Sequence, residues 1–188
     1  MYRSGKVYDE IAKTVIQIYL DYDIKSFPID EKEVCRKMGV ALIGYSSMPK
    51  EAQALLKKKS EYGFFVPETK DNPPSIYYND MLESEGAQRF TAFHELKHYV
   101  YEDEDEEEDD LADYFSKYFM CPIPYLLLKN IDSVNEVISE FGTSYEAAFY
   151  ICSNVVNRRN KYGYQVFDYE IELIEHLEPV LLEVYSKA

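Results

Sequence analysis

Apolar residues recur at helical spacing from Val7 through Ile11, Val15, Ile18 and Tyr19, so the chain is expected to open with an amphipathic helix. Asp30 and Glu33 have the form of a capping box, Val34 and Cys35 lie inside, and Gly39 offers a left-handed stop, which predicts a short second helix. It runs into the apolar, β-prone stretch VALIGY at 40–45. Two further strands are predicted, EYGFFV at 61–66 and SIYYN at 75–79, separated by PETKDNPP, whose prolines and polar residues make a loop. The helical pattern returns from about Glu83 to Tyr101. It resumes from Asp109 to Phe119, where Leu111, Phe115, Tyr118 and Phe119 mark an apolar face and Pro122 and Pro124 close the element. No internal repeat interrupts this order of helices, a small sheet and more helices.

The chemistry centres on HELKH, His94 to His98. Positions i and i+4 of a helix share a face, so both imidazoles can point at one metal ion, and Glu95 is placed to polarise a water in the open coordination position. This is the HExxH zinc-protease pattern. The chain has three histidines and two of them are here; His176, among Glu172, Glu175 and Glu178, is expected on a solvated face.

Composition narrows the class. At 188 residues, 46% hydrophobic and 29% charged, the chain suits one packed core with a helical appendage and excludes disordered, collagenous and membrane-spanning classes. The first residues lack the basic start, apolar stretch and cleavage site of a signal peptide, so a cytoplasmic protein is expected. Cys35, Cys121 and Cys152 are widely spaced and odd in number, hence reduced packing residues. The net charge of −15 repels phosphate backbones, so direct nucleic-acid binding is disfavoured and a basic protein partner is attracted. Arg158, Arg159 and Lys161 form too small a cluster to anchor DNA alone.

A catalytic zinc ordinarily has three protein ligands, and nine consecutive acids from Glu102 to Asp110 offer candidates for the third. Most of the run reads as a mobile, solvated loop held open by self-repulsion. Asp109 leads into the helix that buries Leu111 and Phe115, so it has the fixed position a ligand needs. Glu108, with its longer reach, and Asp110, one residue on, are the competing candidates. Ala112 would let this helix approach the HExxH helix. Asp113, at i+4 from Asp109, is placed to accept the other ring N–H of a ligand histidine.

SIYYN, RFTAFHELKHYVY and DDLADYFSKYFMCP together resemble the ImmA/IrrE family of zinc metallopeptidases. The likeness covers roughly residues 10–155. It implies an α+β fold with a zincin-like core, a small mixed sheet and an HExxH active-site helix over residues 1–125, N-terminal helices included, followed by a helical, helix-turn-helix-like region over 126–188. Carried over, it implies zinc on His94, His98 and Asp109, Glu95 as general base, and Ala112, Asp113, Phe115 and Pro122 as matching scaffold. Lys97 stands where the family has glycine, Asp109 where it has glutamate, Leu111 where a second acid is common, and Cys121 precedes the proline. The family further implies cleavage of a specific helix-turn-helix repressor, often one carried by a phage or mobile element. An extended substrate is expected to pair with Ile76, Tyr77, Tyr78 and Asn79 if that strand forms a sheet edge. Two other readings remain open: a regulatory protein that keeps zinc as structure, and a DNA-binding regulator that uses the tail.

Overall fold

The computed structural model describes residues 5–102 and 109–185. Residues 103–108 lie outside the described residues, and with them the expected loop character of the acidic run and the rival ligand Glu108. The chain divides into two compact units, one formed up to Ile29 and from Lys117 onward, the other by Asp30–Ser116. The second unit holds all the candidate site residues.

In that unit α2 (Glu31–Met38) begins where the Asp30 carboxylate accepts from the backbone N–H groups of Lys32 and Glu33, and it ends at Gly39, whose φ of 76° is a left-handed cap. Glu33 pairs with Arg36 at 2.7 Å instead of reaching back to close a capping box. There follow β1 (Ala41–Gly44), a 3-10 turn over Tyr45–Ser47, α3 (Lys50–Lys59), β2 (Gly63–Val66), β3 (Ser75–Tyr78), α4 (Glu85–Tyr101) and the start of α5 (Asp109–Met120). Nothing in the hydrophobic pattern announces α3, because it buries none of its residues. It is a polar, lysine-rich helix on the surface.

The sheet has the order β1-β3-β2. β1 runs parallel to β3 with Ala41 opposite Ser75, and β2 runs antiparallel to it with Gly63 opposite Tyr78. The strand SIYYN is therefore the centre of the sheet, which corrects the expectation that Ile76, Tyr77, Tyr78 and Asn79 offer an edge to substrate. Both flanks of β3 are already paired, and Ile76, Tyr78 and Asn79 are buried. Asn79 is a local tie: its amide donates to the Glu61 carbonyl at 2.9 Å and its side-chain oxygen accepts from Met81 N–H at 3.2 Å.

α4 packs on β2 and β3 through a buried face that includes Ala92, Phe93 and Leu96, and the Phe65 ring meets Tyr99 edge-on at 5.9 Å. Its start is set by Ser84, which accepts from Ala87 N–H, and it ends at Glu102 in the left-handed region. Gly63 governs how closely β2 approaches it. A Cβ at this position would lie 2.6 Å from Thr91 Cγ2 and 2.8 Å from the Tyr77 carbonyl oxygen. Gly63→Ala is accordingly expected to push β2 away from α4 and to destabilise the protein by about 1–3 kcal/mol, the usual cost of overpacking. Chemical denaturation checks this; an unchanged midpoint would mean that the strand shifts at no cost.

The other unit opens with α1 (Gly5–Asp21), which buries Ile11, Ala12, Val15, Ile16, Ile18 and Tyr19 and leaves Val7 exposed. After α5 come α6 (Ile123–Lys129), α7 (Val134–Phe141), α8 (Tyr145–Tyr162), a 3-10 turn over Asp168–Glu170, α9 (Ile171–Leu177) and α10 (Val180–Tyr185). Pro122 is the N-cap of α6, so the proline pair both ends one helix and begins the next. Gly142, with φ 61°, and the Ser144 cap turn α7 into α8. The basic cluster is largely committed: Arg158 holds the fully buried Glu170 at 2.7 Å, and Arg159 pairs with Asp132 at 2.6 Å. His176 is not on a solvated face. Its Nε2 lies 3.1 Å from the Ile24 carbonyl, and its side chain is only 13% exposed, because α9 packs against α1. The three cysteines are free and buried. Among the described residues no helix is long and apolar enough to cross a membrane.

Candidate metal centre

α4 presents His94 and His98 one turn apart, their ring centroids 5.5 Å from each other. α5 enters with Asp109 as its first residue and is held behind it by the buried Leu111, Ala112 and Phe115. One ligand atom from each of His94, His98 and Asp109 lies within 4.8 Å of the other two. The closest approach measured is His94 Nε2 to Asp109 Oδ1, 3.7 Å. Two imidazole nitrogens and a carboxylate oxygen form a donor set that suits zinc, whose ligands at tetrahedral angles stand about 3.4 Å apart. The observed spacing needs only a small side-chain adjustment to reach that value. The Asp109 side chain is 63% exposed and so has room to make it.

Asp113 Oδ1 is 3.1 Å from His94 Nδ1. A carboxylate only accepts, so the proton sits on Nδ1 and the lone pair of Nε2 faces Asp109 and the candidate metal position. Burial disfavours the imidazolium of His94, but the hydrogen bond to Asp113 and the charges of Glu95, Asp113 and Asp109 outweigh it and raise the pKa.

Glu95 is buried beside the histidines. Burial raises the pKa of its carboxyl, opposed by His94, by His98 and by a hydrogen bond from the Phe65 backbone N–H, and aided by Asp109. Tyr45 lies close by. Burial and the Glu95 charge push its phenol up to about 12, and it donates to the Ser60 carbonyl at 3.1 Å. Fully buried, Tyr45 has no surface to offer a substrate.

Two contributions escape sequence reasoning, the Phe65 N–H on Glu95 and the Tyr45 phenol beside it. EYGFFV reads as a strand, but no feature of its composition says which neighbour its backbone will meet. Lys97, within HELKH, is 1% exposed, with its ammonium 5.6 Å from the centre of the Tyr101 ring.

Two histidines and a carboxylate on adjoining helices, with a buried glutamate between the histidines in sequence, form a candidate metal site. Residues 40–153 match the Peptidase M78 family, described as the IrrE N-terminal-like domain, and the chain belongs to that metallopeptidase family. No curated protein and no solved structure matches it.

Proposed function

We propose that the protein is a zinc endopeptidase with a zincin-like core, acting in the cytoplasm on one specific regulator, with a helix-turn-helix repressor as substrate. The observation that carries the catalytic part is the convergence of His94, His98 and Asp109 within 4.8 Å, with Glu95 one residue along from His94. When bound, zinc supplies Lewis acidity toward a peptide carbonyl and lowers the pKa of water. His94, His98 and Asp109 would hold it, and Asp113 keeps the His94 proton on Nδ1 so that Nε2 stays available. Glu95 takes a proton from the attacking water at its carboxylate and hands it to the leaving nitrogen. The pKa elevation that burial gives Glu95 brings it nearer to neutral pH, which suits both halves of that task.

The peptide has an edge to pair with, and it is β2. Asn79 N–H donates to the Tyr62 carbonyl at 2.7 Å, so even-numbered positions of this strand face β3. Gly63 N–H instead reaches Ser60 Oγ at 3.1 Å and Phe65 N–H reaches Glu95, so odd-numbered positions face outward. By the alternation of an antiparallel ladder, the carbonyls of Gly63 and Phe65 are presented to an incoming extended chain beside the general base. The net charge of −15 and the family resemblance support a basic protein substrate, drawn in electrostatically.

The test measures metal content by mass spectrometry together with cleavage of a helix-turn-helix repressor encoded beside the gene. One zinc per chain and chelator-sensitive cutting at a single position are expected, with initial association slowing as salt rises. Stoichiometric zinc without cutting would favour a regulatory zinc protein, and broad digestion of casein a general protease.

A further inference from the structure

Among the described residues no strand pairs with the outer edge of β2, whose Gly63 and Phe65 N–H groups are bonded to Ser60 and Glu95, and an extended peptide meeting its carbonyls places alternate side chains on each of its two faces. One face belongs to α4, where Phe65 meets Tyr99 and Gly63 lies against Thr91. The other belongs to Phe64. Its ring stacks on Tyr77 at 5.3 Å with an interplanar angle of 16°, and the Lys59 ammonium stands 3.7 Å above the ring centre. A peptide side chain opposite Phe64 would therefore meet that ammonium. Lys59 ends α3, a ten-residue helix that contains Lys50, Lys57, Lys58 and Lys59, and the Ser60 hydroxyl caps the next two strand-entry N–H groups, fixing the step from helix to strand. No carboxylate of the described residues lies within ion-pairing distance of Lys59. In a chain of net charge −15, this is a local reversal of sign at the flank of the candidate cleft.

We propose that Lys59 is a specificity-determining residue that selects an acidic side chain at the substrate position opposite Phe64, one residue from the position that faces Phe65 and Glu95. The proposal rests on the peptidase reading and on β2 as the pairing edge. Its direction is diagnostic, because the field of the whole protein favours basic peptides everywhere and only a local cation reverses this within a residue or two of the cut. The phenyl face beneath the ammonium restricts where the exposed Lys59 side chain sits, holding its charge over Phe64.

The experiment digests a proteome-derived peptide library with the zinc-loaded protein and reads the cut sites by mass spectrometry. Wild type is expected to show Asp and Glu enriched within two residues of the cut, Lys59→Ala to lose that enrichment, and Lys59→Glu to replace it with Lys and Arg. On one synthetic substrate drawn from the cuts, changing the acidic residue to Asn is expected to raise KM about two- to fivefold, the range of an exposed ion pair, with kcat unchanged. Glu95-dependent cutting without acidic enrichment, or enrichment that survives Lys59→Glu, overturns the role of Lys59 and leaves the peptidase reading standing. A library and a neighbouring helix-turn-helix repressor both left uncut by wild type overturn the peptidase reading and this inference with it, and a repressor cut where no acidic residue lies within two positions overturns the role of Lys59 alone.

Discussion

Glu95→Gln is expected to lower kcat for peptide cleavage by about 100- to 10,000-fold, the contribution of a positioned general base, and to leave metal binding and the fold in place. The amide has the shape of the carboxylate and its oxygen still accepts from Phe65 N–H, so the burial beside β2 is unchanged. What it loses is the capacity to take a proton. Burial without charge also costs less than burial with it, so the variant is expected to be at least as stable as wild type. Single-turnover kinetics beside a zinc titration decides the matter: cutting at the wild-type rate would show that the proton is taken by another group.

The second large effect is on the metal. Asp109→Ala removes one of three candidate donors and is expected to reduce zinc affinity well beyond the roughly 10- to 100-fold loss expected for Asp113→Ala, which only frees the His94 ring. Asp109 is 63% exposed, so the change opens no cavity and the loss reports ligation, not unfolding. Asp110→Ala serves as the neighbouring control and is expected to bind zinc as wild type does. The same titrations have a pH dependence with a definite sign. Metal binding needs the Nε2 lone pair, and the raised pKa of His94 means that protons begin to compete above the ordinary histidine range as pH falls. Affinity is therefore expected to decline on acidification earlier than for an unperturbed histidine. In Asp113→Ala, which lacks the contact that favours the imidazolium, the decline moves to lower pH. Zinc held with wild-type affinity by Asp109→Ala would exclude Asp109 as a ligand.

Three levels of the molecule differ in how far they could be read from the chain. Periodic apolar residues announce α1 and α5, because a buried helical face repeats its spacing in the sequence, whereas the buried residues of α4 include Thr91, Glu95, Lys97 and His98 and its helix is marked by HELKH. α3 has no such face and leaves no trace of this kind. The placement of His176 escaped for a related reason: its acidic neighbours describe its own helix, whereas the Ile24 carbonyl that meets it is 152 positions away.

The sequence by itself determined the pairing of His94 with His98 and the place of Glu95 beside them, since helix geometry alone brings i and i+4 together. It also singled out a carboxylate at the start of the following helix as the best-anchored candidate donor. Only the tertiary structure decided that Asp109 comes within 3.7 Å of His94 Nε2, because the approach of two helices depends on packing between residues whose separation in the chain carries no distance information. The same holds for the sheet. SIYYN and EYGFFV are both legible as strands, yet which of them lies at the edge is a matter of pairing order. Long-range hydrogen bonds put SIYYN at the centre and leave EYGFFV beside Glu95.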